Sequence, residues 1–470
     1  MAETSESLYS NWKKLYPKHH RGFFRNLRWA STSILLGLYV ILPFLRWERP
    51  GDLPDQAVLF DLPERKFYLF DLVVWPQDIF MLALLLIAAT LGLFFITALA
   101  GRVFCGYMCF QTVWTDLFLS AERWFEGNHK RRIKLDQSPW TTEKVVRKVG
   151  KHLSWLIISV ITAAVFVFYF ADTPTLLRGF FVGDAPFAAW MTLLFLTVST
   201  YAMAGFAREQ VCIYMCPYSR FQGAMFDDDT IIVAYHPERG EPRQANRRKR
   251  LNSNEPIGHC IDCGECVVVC PTGIDIRVGQ QYECITCGAC IDACRIVMDK
   301  LKHPTVKLIS YTSLREMGGQ RTRWFRFRVL AYGFLLAGFF AAIAVYFVQR
   351  PLVELNVVHH RQPIFIVLSD GSIQNNFTIR VMNMTSSKQV YAVEVSGLAG
   401  ASVKIGAVSE MDEKGQPLLS LGPGDVAPYT VYVKQSPDHI QPGSQEFKFR
   451  LVATGSHGGE NFYQSVFMRP

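Results

Sequence analysis

The chain has 470 residues, half of them hydrophobic and 19% charged, with a formal net charge of +9. A soluble chain of this length divides into two or three globular domains; here the apolar residues gather in five long runs, the pattern of a multi-span membrane protein. That excludes an ordinary soluble enzyme, and it makes the positive charge a topology signal before it is a means of binding an acidic partner.

A basic segment with Lys13, Lys14, Lys18, Arg21, Arg25 and Arg28 precedes the first apolar run, Trp29 to Leu45. That run begins late and lacks a small-residue cleavage site, so it reads as a span rather than a signal peptide. A loop with Asp52, Asp55, Asp61, Glu64 and Asp71 leads to the second run, Ile79 to Ala100. Directly after it stands Arg102-Val-Phe-Cys105-Gly-Tyr-Met-Cys109-Phe-Gln-Thr-Val-Trp114. A loop with Lys130, Arg131, Arg132, Lys134, Lys144, Arg147, Lys148 and Lys151 then leads to the third and fourth runs, Leu153 to Ala171 and Ala185 to Phe206. The fourth is followed by Val211-Cys212-Ile-Tyr-Met-Cys216-Pro217-Tyr-Ser-Arg-Phe-Gln222. Beyond a basic stretch, Arg243, Arg247, Arg248, Lys249 and Arg250, eight cysteines occupy residues 260–294. Arg321, Arg323, Arg326 and Arg328 introduce the fifth run, Val329 to Val348. Each run approaches the ~20 residues that cross a bilayer, and Trp29, Trp75, Trp155 and Trp324 read as an interfacial aromatic belt.

The positive-inside rule puts the N-terminus and the basic loops in the cytoplasm, and five spans then put the tail outside. Cysteine placement agrees: all twelve fall in or beside the cytoplasmic segments, and none lies beyond Cys294. Tight groups of this kind favour metal chemistry in a reducing compartment over disulfides. The basic stretch from Arg243 to Arg250 reads as topogenic rather than as a nucleic-acid patch.

Cys260, Cys263, Cys266 and Cys270 have the spacing Cys-x2-Cys-x2-Cys-x3-Cys, with Pro271 next; Cys284, Cys287, Cys290 and Cys294 repeat it. Paired Cys-x2-Cys motifs also build zinc sites, but two identical four-member runs favour 4Fe–4S clusters. The runs resemble bacterial ferredoxins, where the fourth cysteine of each run ligates the other run's cluster. Carried over, Cys260, Cys263, Cys266 and Cys294 hold one cluster, and Cys284, Cys287, Cys290 and Cys270 the other. Gly264 and Gly288 stand where close backbone approach favours glycine, and Arg295 stands where the second run could have a proline.

The two Cys-x3-Cys segments suggest that the first four spans are two related hairpins with facing cysteine pairs. On a helix, residues at i and i+4 share one face with Cβ atoms ~5–6 Å apart, too far for the ~3.5–4.5 Å of a disulfide. Cys105, Cys109, Cys212 and Cys216 together offer four soft thiolates for Cu(I), zinc or a further Fe–S cluster. Met108 and Met215 read as packing residues.

In the tail, short alternating runs at Ile364–Leu368, Phe377–Met382, Gln389–Val395, Tyr429–Val433, Phe447–Val452 and Phe462–Phe467, punctuated by turns such as Asp370-Gly371 and Gly422-Pro-Gly424, argue for a β-sandwich. A binding or docking module fits it better than a catalytic one. His359 and His360 read as linker residues, since neighbouring side chains of an extended chain point apart; His19 and His20 are given no ligand role.

The five spans, both Cys-x3-Cys segments, Cys270-Pro-Thr-Gly-Ile-Asp-Ile-Arg277, Tyr282-Glu-Cys-Ile and Cys290-Ile-Asp-Ala-Cys294 together resemble the cytochrome c oxidase accessory protein family, CcoG, also called FixG or RdxA. The resemblance covers nearly the whole chain. It implies a multi-domain protein of the bacterial inner membrane: a cytoplasmic segment over 1–28, a four-span domain over 29–206, a dicluster-ferredoxin-like cytoplasmic domain over 207–328, a fifth span over 329–348, and a periplasmic immunoglobulin-like β-sandwich over 349–470. It also implies a cupric reductase that supplies Cu(I) for maturation of a cbb-type oxidase, with oxidase assembly factors or copper chaperones as candidate partners; a homodimer is an open alternative that the sequence does not decide. The sequence departs from the family's Cys-x3-Cys-Pro in the first segment, where Phe110 replaces proline and puts the turn after Cys109 in doubt. Two other readings compete: a quinol-linked electron conduit of the NosR or NapH type, and a non-enzymatic assembly scaffold or redox sensor. A Cys-x2-Cys-His haem site is absent from the sequence, as is any nucleotide fingerprint for direct NAD(P)H oxidation, so the electron donor is unassigned.

Overall fold

The computed structural model describes all residues except 1–13, 51–52, 244–256, 386, 407, 409, 413, 440–442, 456–458 and 470. Lys13, Asp52 and the basic residues Arg247, Arg248, Lys249 and Arg250 therefore lie outside the described residues.

Among the described residues, five helices are long and apolar enough to cross a membrane: Phe23–Phe44, Pro76–Ala100, Thr142–Phe168, Phe187–Ala207 and Phe327–Gln349. The third starts well before the apolar run does. Thr141 caps it by accepting from the Lys144 amide, and the lysines that follow find partners on a neighbouring helix, Phe110–Glu126. Lys148 and Lys151 both reach Glu126, at 2.8 and 3.0 Å. Residues whose charge suggested a loop thus extend the helix by pairing sideways.

This extension moves Trp155 into the helix interior. It is 2% exposed, stacks on Phe118 at 5.4 Å, and donates its indole N–H to the Phe118 carbonyl at 3.0 Å. Trp155 is a core residue and not part of an aromatic belt; buried Trp75, beneath the Lys66 ammonium, is another. The acidic loop after the first span, read above only for its charge, contributes an antiparallel meander of β1 (Val58–Asp61), β2 (Lys66–Leu69) and β3 (Leu72–Val74).

The ferredoxin-like part is framed by two antiparallel strands, β4 (Ile232–Tyr235) and β5 (Ile309–Thr312). Between them run both cysteine-bearing loops and the helices Glu265–Val268 and Ala289–Lys300. Val233, Tyr235, Ile274, Ile276, Met298 and Ile309 form its core with the cysteines.

A second compact unit comprises residues 46–57 and 344–470. It is an immunoglobulin-like sandwich of two antiparallel sheets. One sheet orders β10 (Ala401–Ile405), β12 (Val426–Gln435), β8 (Ile373–Asn383) and β6 (Val353–His359), with β7 (Ile366–Val367) on β8; the other orders β11 (Leu418–Leu421), β9 (Gln389–Ser396), β13 (Gln445–Ala453) and β14 (Glu460–Phe467). Alternation along each strand sends Phe377, Ile379, Val431, Val433, Phe447 and Phe449 into one core. Strands β6, β10 and β11 are additions to the expected set. His359 and His360 are accordingly not linker residues: His359 ends β6 and bonds Asn375 at 2.9 Å, and His360 bonds Thr378 at 2.8 Å.

Candidate metal centres

The two cysteine runs repeat one backbone path as well as one spacing. Asp262 (φ 51°) and Gly264 (φ 70°) in the first correspond to Thr286 (φ 54°) and Gly288 (φ 71°) in the second. Each left-handed residue turns the chain within the run, and each glycine starts a helix. Gly288 is required twice over, since a Cβ there would stand 2.7 Å from Phe24 Cγ.

The fourth cysteine of each run joins the other run's three. Cys260, Cys263, Cys266 and Cys294 line a cavity of about 380 Å³ including its mouth; Cys270, Cys284, Cys287 and Cys290 line one of about 350 Å³, which Cys266 also borders. Burial, with the nearby sulfurs of Cys266, Cys260 and Cys263, pushes the Cys294 thiol up to about 12. Burial does the same to Cys284, with Cys287 and Cys270 adding to it. Sulfurs crowded this way release their protons only to a cation placed among them.

Among the described residues, no three His, Cys, Asp or Glu side chains close tightly enough to hold a lone metal ion. A cubane needs the opposite: thiolates held apart around a body several atoms wide. The two cysteine-lined cavities fit that demand. Cys263 is exposed while Cys260 and Cys266 are buried, and the four cysteines of the second cavity are half-buried, so the first cavity holds the most exposed ligand.

The four remaining cysteines do not lie in pairs on continuous helices, and here the structure corrects the i, i+4 reading. Cys105 is in the short helix Val103–Tyr107, but Cys109 is extended (φ −64°, ψ 128°) and immediately precedes the helix Phe110–Glu126. Cys212 is in the π-helical turn Val211–Met215, and Cys216, also extended (φ −79°, ψ 110°), precedes the helix Pro217–Met225. Pro217 breaks the chain at Cys216 because proline has no amide to continue the ladder, and it suits the first helical position for the same reason. Phe110 occupies the equivalent position with the same turn before it. The missing proline therefore leaves the conformation at Cys109 unchanged.

The pairs still converge. Burial pushes the Cys105 thiol up to about 11, against the pull of Arg102 and with contributions from Cys109 and Cys216. Cys212 is pushed up to about 12 by burial, then by Cys109, Cys105 and Cys216. Cys105 donates to Gln222 Oε1 at 3.3 Å, and the same oxygen accepts from Arg102 Nε at 2.9 Å. Met108 and Met215 are 51% and 59% exposed, so neither packs within the chain.

Several residues that sequence reasoning did not single out join these thiols to the second cysteine run. A Cβ on Gly106 would stand 2.7 Å from the Ile285 carbonyl. Tyr107 donates to the Cys287 carbonyl at 3.0 Å, and its hydroxyl lies 3.2 Å from that of Tyr311, which donates to the Thr286 carbonyl at 2.6 Å. Arg102 bonds the Tyr282 carbonyl and lies 5.4 Å over its ring. Asp292, inside Cys290-x3-Cys294, accepts from the amides of Phe24 and Arg25 at 3.3 and 2.9 Å, capping the first span. A carboxylate between two motif cysteines, and a glutamine closing the Cys212 segment, were the available signals; Gly106 and the two tyrosines offered none.

Comparison with known proteins gives matches along most of the chain. A 4Fe-4S dicluster domain model matches residues 207–314, a 4Fe-4S binding domain model matches 82–132, and a model of the Ig-like fold at the C-terminus of FixG matches 343–470. Nitrogen fixation protein FixG of Rhizobium meliloti (strain 1021) is 38% identical, covering 98% of this chain and 94% of its own. Protein RdxA of Cereibacter sphaeroides is 43% identical over 97% of each chain, and protein RdxB of the same organism is 45% identical over 85% of this chain and 86% of its own.

Proposed function

The chain belongs to the FixG/RdxA family and is a membrane iron–sulfur electron-transfer protein, and from this we propose that it reduces Cu(II) to Cu(I) at Cys105, Cys109, Cys212 and Cys216. The observation that carries this reading is the convergence of four soft thiols against the loop of the second cysteine run. Thiolates favour Cu(I) over Cu(II), so binding there makes reduction easier.

Cys260, Cys263, Cys266 and Cys294 would hold one cluster, and Cys270, Cys284, Cys287 and Cys290 the other. Bound there, the clusters supply single electrons, one for each copper ion: Cu(II) + e⁻ → Cu(I). The chain's own residues set the geometry. Gly106 and Tyr107 hold the Cys287 loop against the thiol site, Gln222 orients the Cys105 thiol, and Arg102 ties both to Tyr282.

The distribution of lysine and arginine supports an inner-membrane topology with both cysteine sites on the cytoplasmic side and the sandwich in the periplasm. In this reading Cu(I) passes to assembly factors or copper chaperones for a cbb-type oxidase, and a cytoplasmic or membrane donor replaces the electrons. The test is single-turnover Cu(II) reduction by the pre-reduced protein, with a Cu(I)-specific chelator as readout. Reduction should fall to background when all four membrane cysteines become serine while the visible iron–sulfur absorbance persists. Undiminished reduction by that variant would sink the copper site.

A second reading has observations of its own. The 4Fe-4S binding model over 82–132 includes Cys105 and Cys109 and no other cysteine, and no three of the four thiols close on one ion. A third cluster there would make the protein an electron conduit. Iron analysis separates the readings: about eight atoms per chain for two cubanes, about twelve for three.

A further inference from the structure

A cavity distinct from the two cysteine-lined ones lies between residues 17–28, the helix Phe110–Glu126 and the loop of the second cysteine run. It leaves about 70 Å³ for the centres of water-sized groups, room for a small ion or a few waters. Its charge is lopsided.

Five guanidinium groups line it, those of Arg25, Arg28, Arg123, Arg132 and Arg208. Asp116 answers two of them, Arg25 at 2.9 Å and Arg28 at 3.4 Å. Glu122 answers two more, Arg208 at 2.8 Å and Arg132 at 3.5 Å. The fifth, Arg123, meets the Ser120 hydroxyl at 3.2 Å. Lys18 does not add to the surplus, because Glu265 pairs with it at 2.7 Å. Glu209 also lines the cavity, but burial pushes its carboxyl toward the protonated form. His19 and His20 are pushed down to about 4, chiefly by burial and then by neighbouring arginines, and stay neutral.

Hydrogen bonding shows the same deficit independently. Arg25 and Arg132 are 9% and 3% exposed. The Nε of each has no hydrogen-bond acceptor among the described residues, and Nη1 of Arg132 has only its 3.5 Å ion pair with Glu122. Donors buried this deeply are normally satisfied, and leaving them unmet is costly. What is missing is negative charge with several acceptor oxygens, the complement of guanidinium forks.

We propose that this cavity binds a small multivalent oxyanion, carrying phosphate or carboxylate groups, either free or as the headgroup of an anionic lipid. The site borders Cys212 on one side and Pro271 and Ala289 on the other. Its occupant therefore lies beside Cys212 and beside the loop that carries Ile285 and Ala289, whatever metal the thiols hold.

The test is calorimetric titration of pyrophosphate into the delipidated, cluster-loaded protein at low and high salt. Saturable binding that weakens with salt is expected. Arg123→Gln should weaken it by about tenfold or more, the loss of one charged hydrogen bond, while Arg123→Lys recovers part of it. Arg123 is the variant of choice because a hydroxyl is its only named partner; an unchanged melting temperature and iron–sulfur absorbance confirm that it folds. Repeating the titration in nanodiscs of phosphatidylcholine and of phosphatidylglycerol identifies the source. Binding blocked only by phosphatidylglycerol assigns the site to a lipid phosphate, and binding in both assigns it to a free anion. Absence of saturable binding to the delipidated protein, or equal affinity in Arg123→Gln, overturns the proposal.

Discussion

Gly106 and Cys287 are in backbone contact: a Cβ on Gly106 would lie 3.1 Å from the Cα of Cys287. One residue is next to a membrane cysteine and the other is in the second cysteine run, so the two cysteine segments touch at this point. Such closeness matters wherever electrons must cross.

Replacing Gly106 with alanine therefore forces the Ile285–Cys287 backbone away. Overpacking of this kind costs about 1–3 kcal/mol. The Gly106→Ala variant should melt at lower temperature and, at matched cluster content, pass electrons to Cu(II) more slowly. Wild-type melting and wild-type rate in that variant would show that the contact is dispensable.

The crossed ligand sets make a sharper prediction. Cys270→Ala should disturb the same EPR signal as Cys287→Ala, and Cys294→Ala the same signal as Cys263→Ala. If Cys270→Ala instead matched Cys263→Ala, each run would hold its own cluster.

Phe110→Pro should be nearly silent. Phe110 starts its helix after an extended Cys109, and a first-turn amide has no intrahelical acceptor to lose. Melting should shift by no more than about 1 kcal/mol in equivalent stability, with copper reduction unchanged. A large loss would mean that the Phe110 ring, 70% exposed in the chain, has a partner of its own.

Asp116 gives the pH dependence. Burial pushes its carboxyl up, but the guanidinium groups of Arg28 and Arg25 outweigh it and hold the group below its usual value. The depressed value means its stabilisation is complete above the unfolded carboxylate range, near pH ~4, and is lost as pH falls through the folded value. Melting temperature should hold between pH 7 and 5 and fall below that. In Asp116→Asn, two buried guanidinium groups lose their carboxylate, at a cost of about 3–5 kcal/mol, and the acid-side fall should flatten. An unaltered acid limb would assign it to other carboxylates.

What could be read from the residues alone was whatever depends on near neighbours. Cys-x2-Cys-x2-Cys is a ligand geometry written into adjacent turns, and the left-handed positions at Gly264 and Gly288 follow from it. Apolar runs long enough to span are likewise a local property. Trp155 misled because lysines placed before it looked like a loop, and only their distant partner Glu126 makes them helical. The break at Cys109 was hidden because the proline that marks its twin at Cys216 is absent. Asp292 capping the first span, Gly106 against Cys287 and the cationic cavity all join segments far apart in sequence, which periodicity and spacing do not encode.

Cys263 alone among the eight cysteines of residues 260–294 is exposed. Wherever water reaches a cluster ligand, oxygen and peroxide reach it too, so the two cofactors should age unequally. Air exposure should bleach the Cys263 signal first and spare the Cys287 signal longest, leaving a half-loaded molecule that still keeps the cofactor beside the membrane thiols. Oxygen would then remove the more exposed cofactor before the one that lies against Gly106 and Tyr107.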